Sequence, residues 1–324
     1  MTYRREQLES QRRYLLTSKA FSPDARRGGG VFRGKARDFV LPSQFREENL
    51  FRPIRDVTLK YFSDHKISWH VARAHLLSSQ AFCLNFLAPF AFQPQALKTL
   101  LQGALGFITE MLEVEPETDP KRLVAFEFIG NRDYLNEATK SRRTRGANCT
   151  SPDAFVRFTT PSGGREAALV EWKYTESYSR AKAEVRRNSV RLDRYRHIAI
   201  WEKGPLRSDC GVELVEFFNE PIYQLLRLQM LAKQMEKDSQ LGIDRVRVVL
   251  IAPRANLDLH KLKIEGLRRF GIDVSSAWKA LLHDSDRFVT YATEDLFRDS
   301  RAVPQHMPDL AAWHSYIGER YSLL

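Results

Sequence analysis

Cysteine is scarce in this chain. Cys83, Cys149 and Cys210 are the only three in 324 residues; they are odd in number, widely spaced and include no Cys-x-x-Cys pair. This argues against both a disulfide framework and a structural zinc site. Long apolar runs are also missing: none approaches the ~20 residues that a membrane helix needs. The charged start Met1-Thr2-Tyr3-Arg4-Arg5 leads into no apolar signal region, so a cytoplasmic protein without membrane contact is expected. The one glycine run, Gly28-Gly29-Gly30 with Gly34-Lys35 beyond it, fits neither a P-loop nor a dinucleotide fingerprint, and no hydrophobic strand precedes it. Internal repeats are absent. The histidines His65, His70 and His75, spaced at five, would scatter around a helix and so form no metal constellation.

What is abundant is positive charge, and it is uneven. The formal net charge is +11, and the hydrophobic fraction of 43% is enough for a proper core. Residues 1–46 hold 11 Lys and Arg against 4 Asp and Glu, and residues 121–197 hold 17 against 9. The remainder is slightly acidic. A polyanionic substrate is favoured over a small acidic metabolite.

Within the second basic segment, Ser151-Pro152-Asp153-Ala154-Phe155-Val156 is followed by the turn Pro161-Ser162-Gly163-Gly164 and then by Leu169-Val170-Glu171-Trp172-Lys173-Tyr174. Asp153 and Glu171 lie equally far on either side of Ser162, so a hairpin closed there sets the two acids face to face. Glu171 and Lys173 share a face by the period-2 rule, while Trp172 points to the opposite one and can anchor the core. Two carboxylates opposite each other at ~5 Å repel, an arrangement that makes sense chiefly if a cation bridges them. The text pattern alone is not selective, because Pro23-Asp24, Pro308-Asp309, Asp64-His65-Lys66 and Asp119-Pro120-Lys121 also occur. Only Asp153 and Glu171 have hairpin geometry. An exposed hairpin with an ordinary ion-pair cluster is the bland alternative.

Pro152, Asp153, Glu171 and Lys173 resemble the motif of the PD-(D/E)XK superfamily of restriction-endonuclease-like nucleases. Phe126 to Asn131, Arg142 to Ser151 and Glu171 to Glu176 look more narrowly like a group of bacterial restriction endonucleases, a likeness that reaches back to Ser78-Ser79-Gln80-Ala81-Phe82. The resemblance implies an α/β fold, a mixed sheet flanked by helices, with α-helical N- and C-terminal extensions. It also implies a Mg²⁺-dependent DNA endonuclease of restriction or anti-phage defence, with Mn²⁺ able to substitute. Asp153 and Glu171 would be the metal ligands with the Trp172 backbone carbonyl, Lys173 would act on the nucleophile and the transition-state charge, and Glu127 is the best further acid. Flanked by Phe126 and Phe128 on the adjacent expected strand, Glu127 points by parity to the side of the site, with a salt bridge to a nearby arginine as the bland alternative. Glu110 and Glu113 are alternative acids, and Glu176 follows the motif closely but also suits the start of the next helix. A catalytically silent nucleic-acid-binding or assembly protein on the same fold and an RNA nuclease are the rival readings. Cutting both strands takes two passes or two sites, so a homodimer or a partner defence subunit is an expected association.

Arg142, Arg143 and Arg145 precede the motif, and Lys182, Arg186, Arg187 and Arg191 follow it at helical spacings with Arg194. They are the expected phosphate contacts, which fix register without reading bases. Gln80 and Asn85 are expected to satisfy hydrogen bonds inside an apolar stretch, with a role at the site as the alternative for both.

Along the chain, residues 1–46 read as a basic N-terminal arm, helical over Arg4 to Lys19 and with a mobile loop over Ala25 to Lys35. Residues 47–92 read as a helical lead-in, with Val71 to Phe90 as one apolar helix. Residues 93–256 read as the nuclease core: helix Gln95 to Glu113, strand Arg122 to Ile129, the hairpin, helix Glu176 to Ile200, a helical insertion over Val212 to Lys237, and strand Val246 to Pro253. Residues 257–324 read as a mainly helical extension with a short strand near Phe288-Val289-Thr290.

Overall fold

The computed structural model describes residues 2–115, 120–138, 142–178, 185–199, 204–238 and 241–323. Helix α1 (Tyr3–Thr17) leads to the hairpin β1 (Gly30–Phe32) and β2 (Lys35–Arg37), then to α2 (Arg55–Asp64), α3 (Ser79–Leu87) and α4 (Pro94–Leu105). Strands β3 (Glu110–Leu112), β4 (Val124–Phe126), β5 (Ala154–Thr159) and β6 (Arg165–Trp172) follow. After α5 (Val185–Tyr195) and α6 (Ile222–Glu236) come β7 (Arg245–Ala252), α7 (Leu257–His260) and α8 (Val274–Leu281). The chain closes with β8 (Phe288–Ala292), α9 (Thr293–Asp299) and α10 (Leu310–Tyr321).

Six strands make one mixed sheet in the order β3-β5-β6-β7-β8, with β4 also paired to β5. The β5–β6 hairpin is in the register read from the sequence: Ala154 faces Val170, and Thr159 faces Arg165. Its loop closes through Thr160 N–H to Gly164 O and Gly163 N–H to Thr160 O, each 2.9 Å. Beyond β6 the sheet turns parallel, with Leu169 beside Val248 and Val248 beside Phe288. The carboxyl ends of parallel strands are where open α/β sheets hold their ligands.

Strict alternation divides β5 and β6 between two cores. Val156, Phe158, Val170 and Trp172 belong to a core shared with α1, α3, α4 and α10, whereas Phe155 and Leu169 belong to one built with α6 and α8. Trp172 is fully buried with Phe82 and Phe86 at ring distances of 5.3 and 5.0 Å. Truncating it to alanine would destabilise the fold by roughly 3–5 kcal/mol. The mixed sheet between helical layers, with helices at both ends of the chain, is the architecture that the resemblance implies.

Several boundaries differ from expectation, each for a physical reason. Ala25 to Lys35 is a single helical turn over Ala25–Arg27 followed by most of the β1–β2 hairpin rather than a loose loop, because its glycines allow close approach: a Cβ on Gly30 would stand 2.1 Å from Leu41 O. The first helix joins the core through Gln11, which donates to Tyr174 Oη at 3.2 Å and Arg320 O at 2.5 Å, so it packs as part of the body rather than extending as an arm. Helix α4 starts at Pro94 and stops at Leu105, where Gly106 takes φ 79°; the expected last turns are instead the edge strand β3. Within the expected helix Val71 to Phe90, the helical structure begins only at Ser79, capped by Ser78 Oγ accepting from Ala81 N–H. Of the expected strand Arg122 to Ile129, Val124 to Phe126 forms β4, and Arg122 makes an isolated antiparallel bridge with Glu115. The strand of the C-terminal extension completes the central sheet beside β7.

Candidate active site

Asp153 stands one residue before β5 and Glu171 one residue before the end of β6, so the hairpin register sets them opposite each other. Asp153 Oδ2 accepts the Trp172 N–H at 2.7 Å. The strand thus turns its own backbone toward the acid. Glu127 arrives from the end of β4, where its N–H donates to Asp153 O at 3.2 Å. Its φ of 50° is left-handed, a conformation that costs a non-glycine residue about 1–3 kcal/mol and concentrates at functional sites. This kink brings Glu127 to the site. The pleat does not, since Phe126 and Phe128 pack on opposite cores instead of sharing a face.

The three acids line one cleft of about 280 Å³ together with Lys173, His70, Ser151, Gln224 and Arg227. Several ~30 Å³ waters would fit such a space. Lys173 Nζ lies 2.6 Å from Glu171 Oε1 and donates to Gln224 Oε1 at 2.8 Å. Gln224 Nε2 donates to the same Glu171 Oε1 at 2.6 Å. Glu127 accepts from Gln80 Nε2 at 2.6 Å and from Ser151 Oγ at 3.1 Å, and His70 Nε2 lies 3.3 Å from its Oε1. Glu171 Oε2 is buried without a hydrogen-bond partner among the described residues.

Burial dominates the electrostatics. It raises the Asp153 carboxyl well above the ordinary range, with Glu171 and Glu127 adding repulsion. It also raises Glu171, against the opposing pull of Lys173. Glu127 is pushed up to about 7, chiefly by burial, although the Gln80 and Ser151 hydrogen bonds act against the shift. For Lys173 burial works the other way, but Glu171, Tyr178, Glu176 and Asp153 overcome it and hold the ammonium charged. A buried carboxylate oxygen without a partner and mutually repelling acids fit a hard cation. Among the described residues, no three His, Cys, Asp or Glu side chains are gathered into a ready metal cluster. Lys173 and Gln224 hold one oxygen of Glu171 while Gln80 and Ser151 hold Glu127.

The expected phosphate contacts divide. Arg142 is exposed. Arg143 donates to Ile129 O at 2.7 Å and Gly130 O at 3.4 Å, bracing the loop after β4. Arg145 is turned inward: it donates to Glu127 O, Glu115 Oε1, Tyr61 Oη and Phe126 O, which occupies four of its five N–H groups. A residue so engaged holds the site's frame and has little to offer a phosphate, which corrects its expected place among the phosphate contacts. Lys182 and the side chains of Arg186 and Arg187 lie outside the described residues. Arg191 donates to Asn188 Oδ1 and Phe218 O, each at 3.3 Å, and stacks on Tyr223 at 4.2 Å.

Gln80 braces the site, whereas Asn85 bonds Phe51 N–H, Asn49 O and Tyr321 Oη away from it. Glu110 and Glu113 are not in the cleft, and Glu176 accepts the Tyr174 N–H at 2.6 Å. Sequence reasoning missed Gln224, Arg227, His70 and Ser151. A signal existed for the first two: polar residues three apart in the otherwise apolar run Ile222 to Leu228 share one helix face.

No curated protein and no solved structure matches the chain. The family model described as restriction endonuclease associating with ARP matches residues 13–322, nearly the whole chain, and the protein therefore belongs to that restriction-endonuclease family.

Proposed function

We propose that the protein is a divalent-metal-dependent endonuclease that hydrolyses DNA phosphodiester bonds in restriction or anti-phage defence. One observation carries the reading: the charged Lys173 and the half-partnered Glu171 meet Asp153 and Glu127 in a single cleft at the carboxyl end of β6. Asp153, Glu171 and Glu127 would hold Mg²⁺ or Mn²⁺ with the Trp172 carbonyl. In an extended strand a residue's N–H and C=O project to the same side, and the Trp172 N–H faces Asp153. A bound Mg²⁺ supplies Lewis acidity and charge neutralisation at the phosphoryl oxygens.

The chain's own groups supply the rest. Lys173 Nζ, fixed between Glu171 and Gln224, orients the attacking water and offsets negative charge developing on the phosphoryl group. The water oxygen bonds to phosphorus, the bond to the leaving oxygen breaks, and a proton ends on that oxygen. Gln224 keeps the Glu171–Lys173 pair in one geometry, and Gln80 does the same for Glu127. Exposed cations such as Arg142 serve as backbone contacts without base reading. The family description names an association with ARP, and a partner defence subunit of that kind is the proposed associate alongside a homodimer.

The test is digestion of matched plasmid, linear duplex, single-stranded DNA and RNA with Mg²⁺, with Mn²⁺ and with a chelator. Cation-dependent breaks in DNA support the reading. Preferential cutting of RNA reassigns the substrate, and binding without cutting in every arm identifies a silent relative.

A further inference from the structure

A second cavity, of about 470 Å³, adjoins the catalytic cleft, and His70 and Ser79 line both. The reaction proposed above makes no use of it. Its size falls in the range of small-ligand sites, ~300–1,000 Å³, and its lining has a mixed chemistry. Phe32 and Tyr178 contribute rings, Arg4 and Arg33 contribute cations, and Thr175 and Glu176 contribute hydrogen-bonding groups. Lipids or purely apolar ligands would leave the cations and acid unpaired. A single acidic metabolite would leave the rings unused.

The hairpin of residues 30–37 delivers two of these groups. Arg33 and Gly34 join Phe32 to Lys35 with φ of 51° and 74°, the two-residue turn whose first position favours asparagine or glycine. An arginine held left-handed there is strained, and such strain persists where the surroundings fix it and clusters at ligand clamps. Arg33 lies over the Phe32 ring at 5.3 Å, and Phe32 packs edge-on against His75 at 5.1 Å. Arg4, which also lines the cavity, reaches Thr175 O and Oγ1 with its Nη1 at 3.4 Å, which links α1 to the segment after β6. Phe32 and Arg33, from the basic glycine-rich segment that the catalytic cleft leaves unexplained, thus line this cavity.

We infer that the cavity receives one unstacked nucleotide of the strand being cut, next to the scissile phosphate; the inference rests on the nuclease reading above. An unstacked base is held by stacking on aromatic faces and by hydrogen bonds to its edge. Phe32 and Tyr178 supply the faces. Glu176 supplies an acceptor for base N–H groups: one of its oxygens already accepts Tyr174 N–H, and a carboxylate has several acceptor sites. Arg4 and Arg33 flank the entry for neighbouring phosphates.

The test maps the cut position on plasmid DNA with Mg²⁺. Duplexes carrying 2-aminopurine at each position around the cut are then bound with Ca²⁺ in place of Mg²⁺. One position should brighten several-fold on binding. Arg33→Ala, losing a phosphate contact, should weaken DNA binding, and Phe32→Ala should abolish that rise and slow cutting about ten-fold, the size expected for losing one base-stacking platform. Phe32→Leu, which keeps apolar packing, should do the same with an unchanged melting temperature. If every position stays dark while the protein binds and cuts, the cavity reading falls and the nuclease reading stands. A rise that survives the Phe32 variants places the unstacked base elsewhere and also overturns the assignment. Neither binding nor cutting of DNA overturns both readings.

Discussion

Glu127→Gln should make the metal-free protein more stable above neutral pH, which reverses the usual penalty for altering a buried site. Burial raises Glu127 from 4.5 to about 7. At about 1.4 kcal/mol per pH unit, this amounts to about 3 kcal/mol of destabilisation once the carboxyl is forced to ionise. The sign follows from proton counting: between pH 4.5 and 7 the folded protein holds a proton that the unfolded chain has released, so folding stability falls as pH rises through that window and stays low above it. Glutamine carries no charge and keeps the bond from Gln80. Its amide can donate to Ser151 Oγ, reversing the present bond. The assay is urea denaturation of wild type and variant at pH 5, 6, 7 and 8 with a chelator present. The stability gap should be roughly 1 kcal/mol at pH 5 and reach about 3 kcal/mol in favour of Glu127→Gln at pH 8. If Glu127 joins the metal shell, 10 mM Mg²⁺, on the order of saturating, should narrow the gap at pH 8 by stabilising the wild type more. A gap that is flat across the series, or a variant less stable at pH 8, would refute the reasoning.

Three further outcomes follow from the same geometry. Gln224→Ala removes the side chain that joins Glu171 to Lys173 and should raise the Mg²⁺ concentration needed for half-maximal cutting about 10–100-fold, as outer-shell changes do; a metal titration of cutting rate checks this. Arg145→Ala breaks the ion pair with Glu115, whose arginine side chain is only 14% exposed, and should lower stability by roughly 3 kcal/mol as read by chemical denaturation. Arg142→Ala should leave stability unchanged but lower the salt slope of DNA binding by about one phosphate contact, as read by binding isotherms at several salt concentrations.

The legible and illegible parts of this chain separate by the range of the interaction. Asp153 and Glu171 could be paired from sequence because one turn centred on Ser162 sets the register of both strands, and a hairpin is a local object. Trp172 on the opposite face follows from the same period of two. Glu127 could be named but not explained: parity argued for it, whereas the structure uses a left-handed kink and braces from Gln80 and His70, 47 and 57 positions earlier in the chain. Gln224 reaches Glu171 across 53 positions, a distance over which periodicity carries no information. Residues 28–30 were misread because glycine permits two opposite things, mobility and close backbone approach, and the tertiary contacts of Gly28 at Asp38 O and of Gly30 at Leu41 O decide between them. Likewise the charge count correctly marked 121–197 as basic but could not show that Arg145 spends its donors indoors.

The central claim, that this cleft is a metal-dependent phosphodiesterase centre, is tested most directly by comparing wild type with Asp153→Asn and Lys173→Ala on plasmid DNA in Mg²⁺. Both variants should be checked for native melting behaviour first. The account predicts cation-dependent cutting by wild type, abolished by chelation, and a loss of at least ~10²-fold in each folded variant. Folded variants that cut as fast as wild type, or cutting indifferent to chelation, would contradict it.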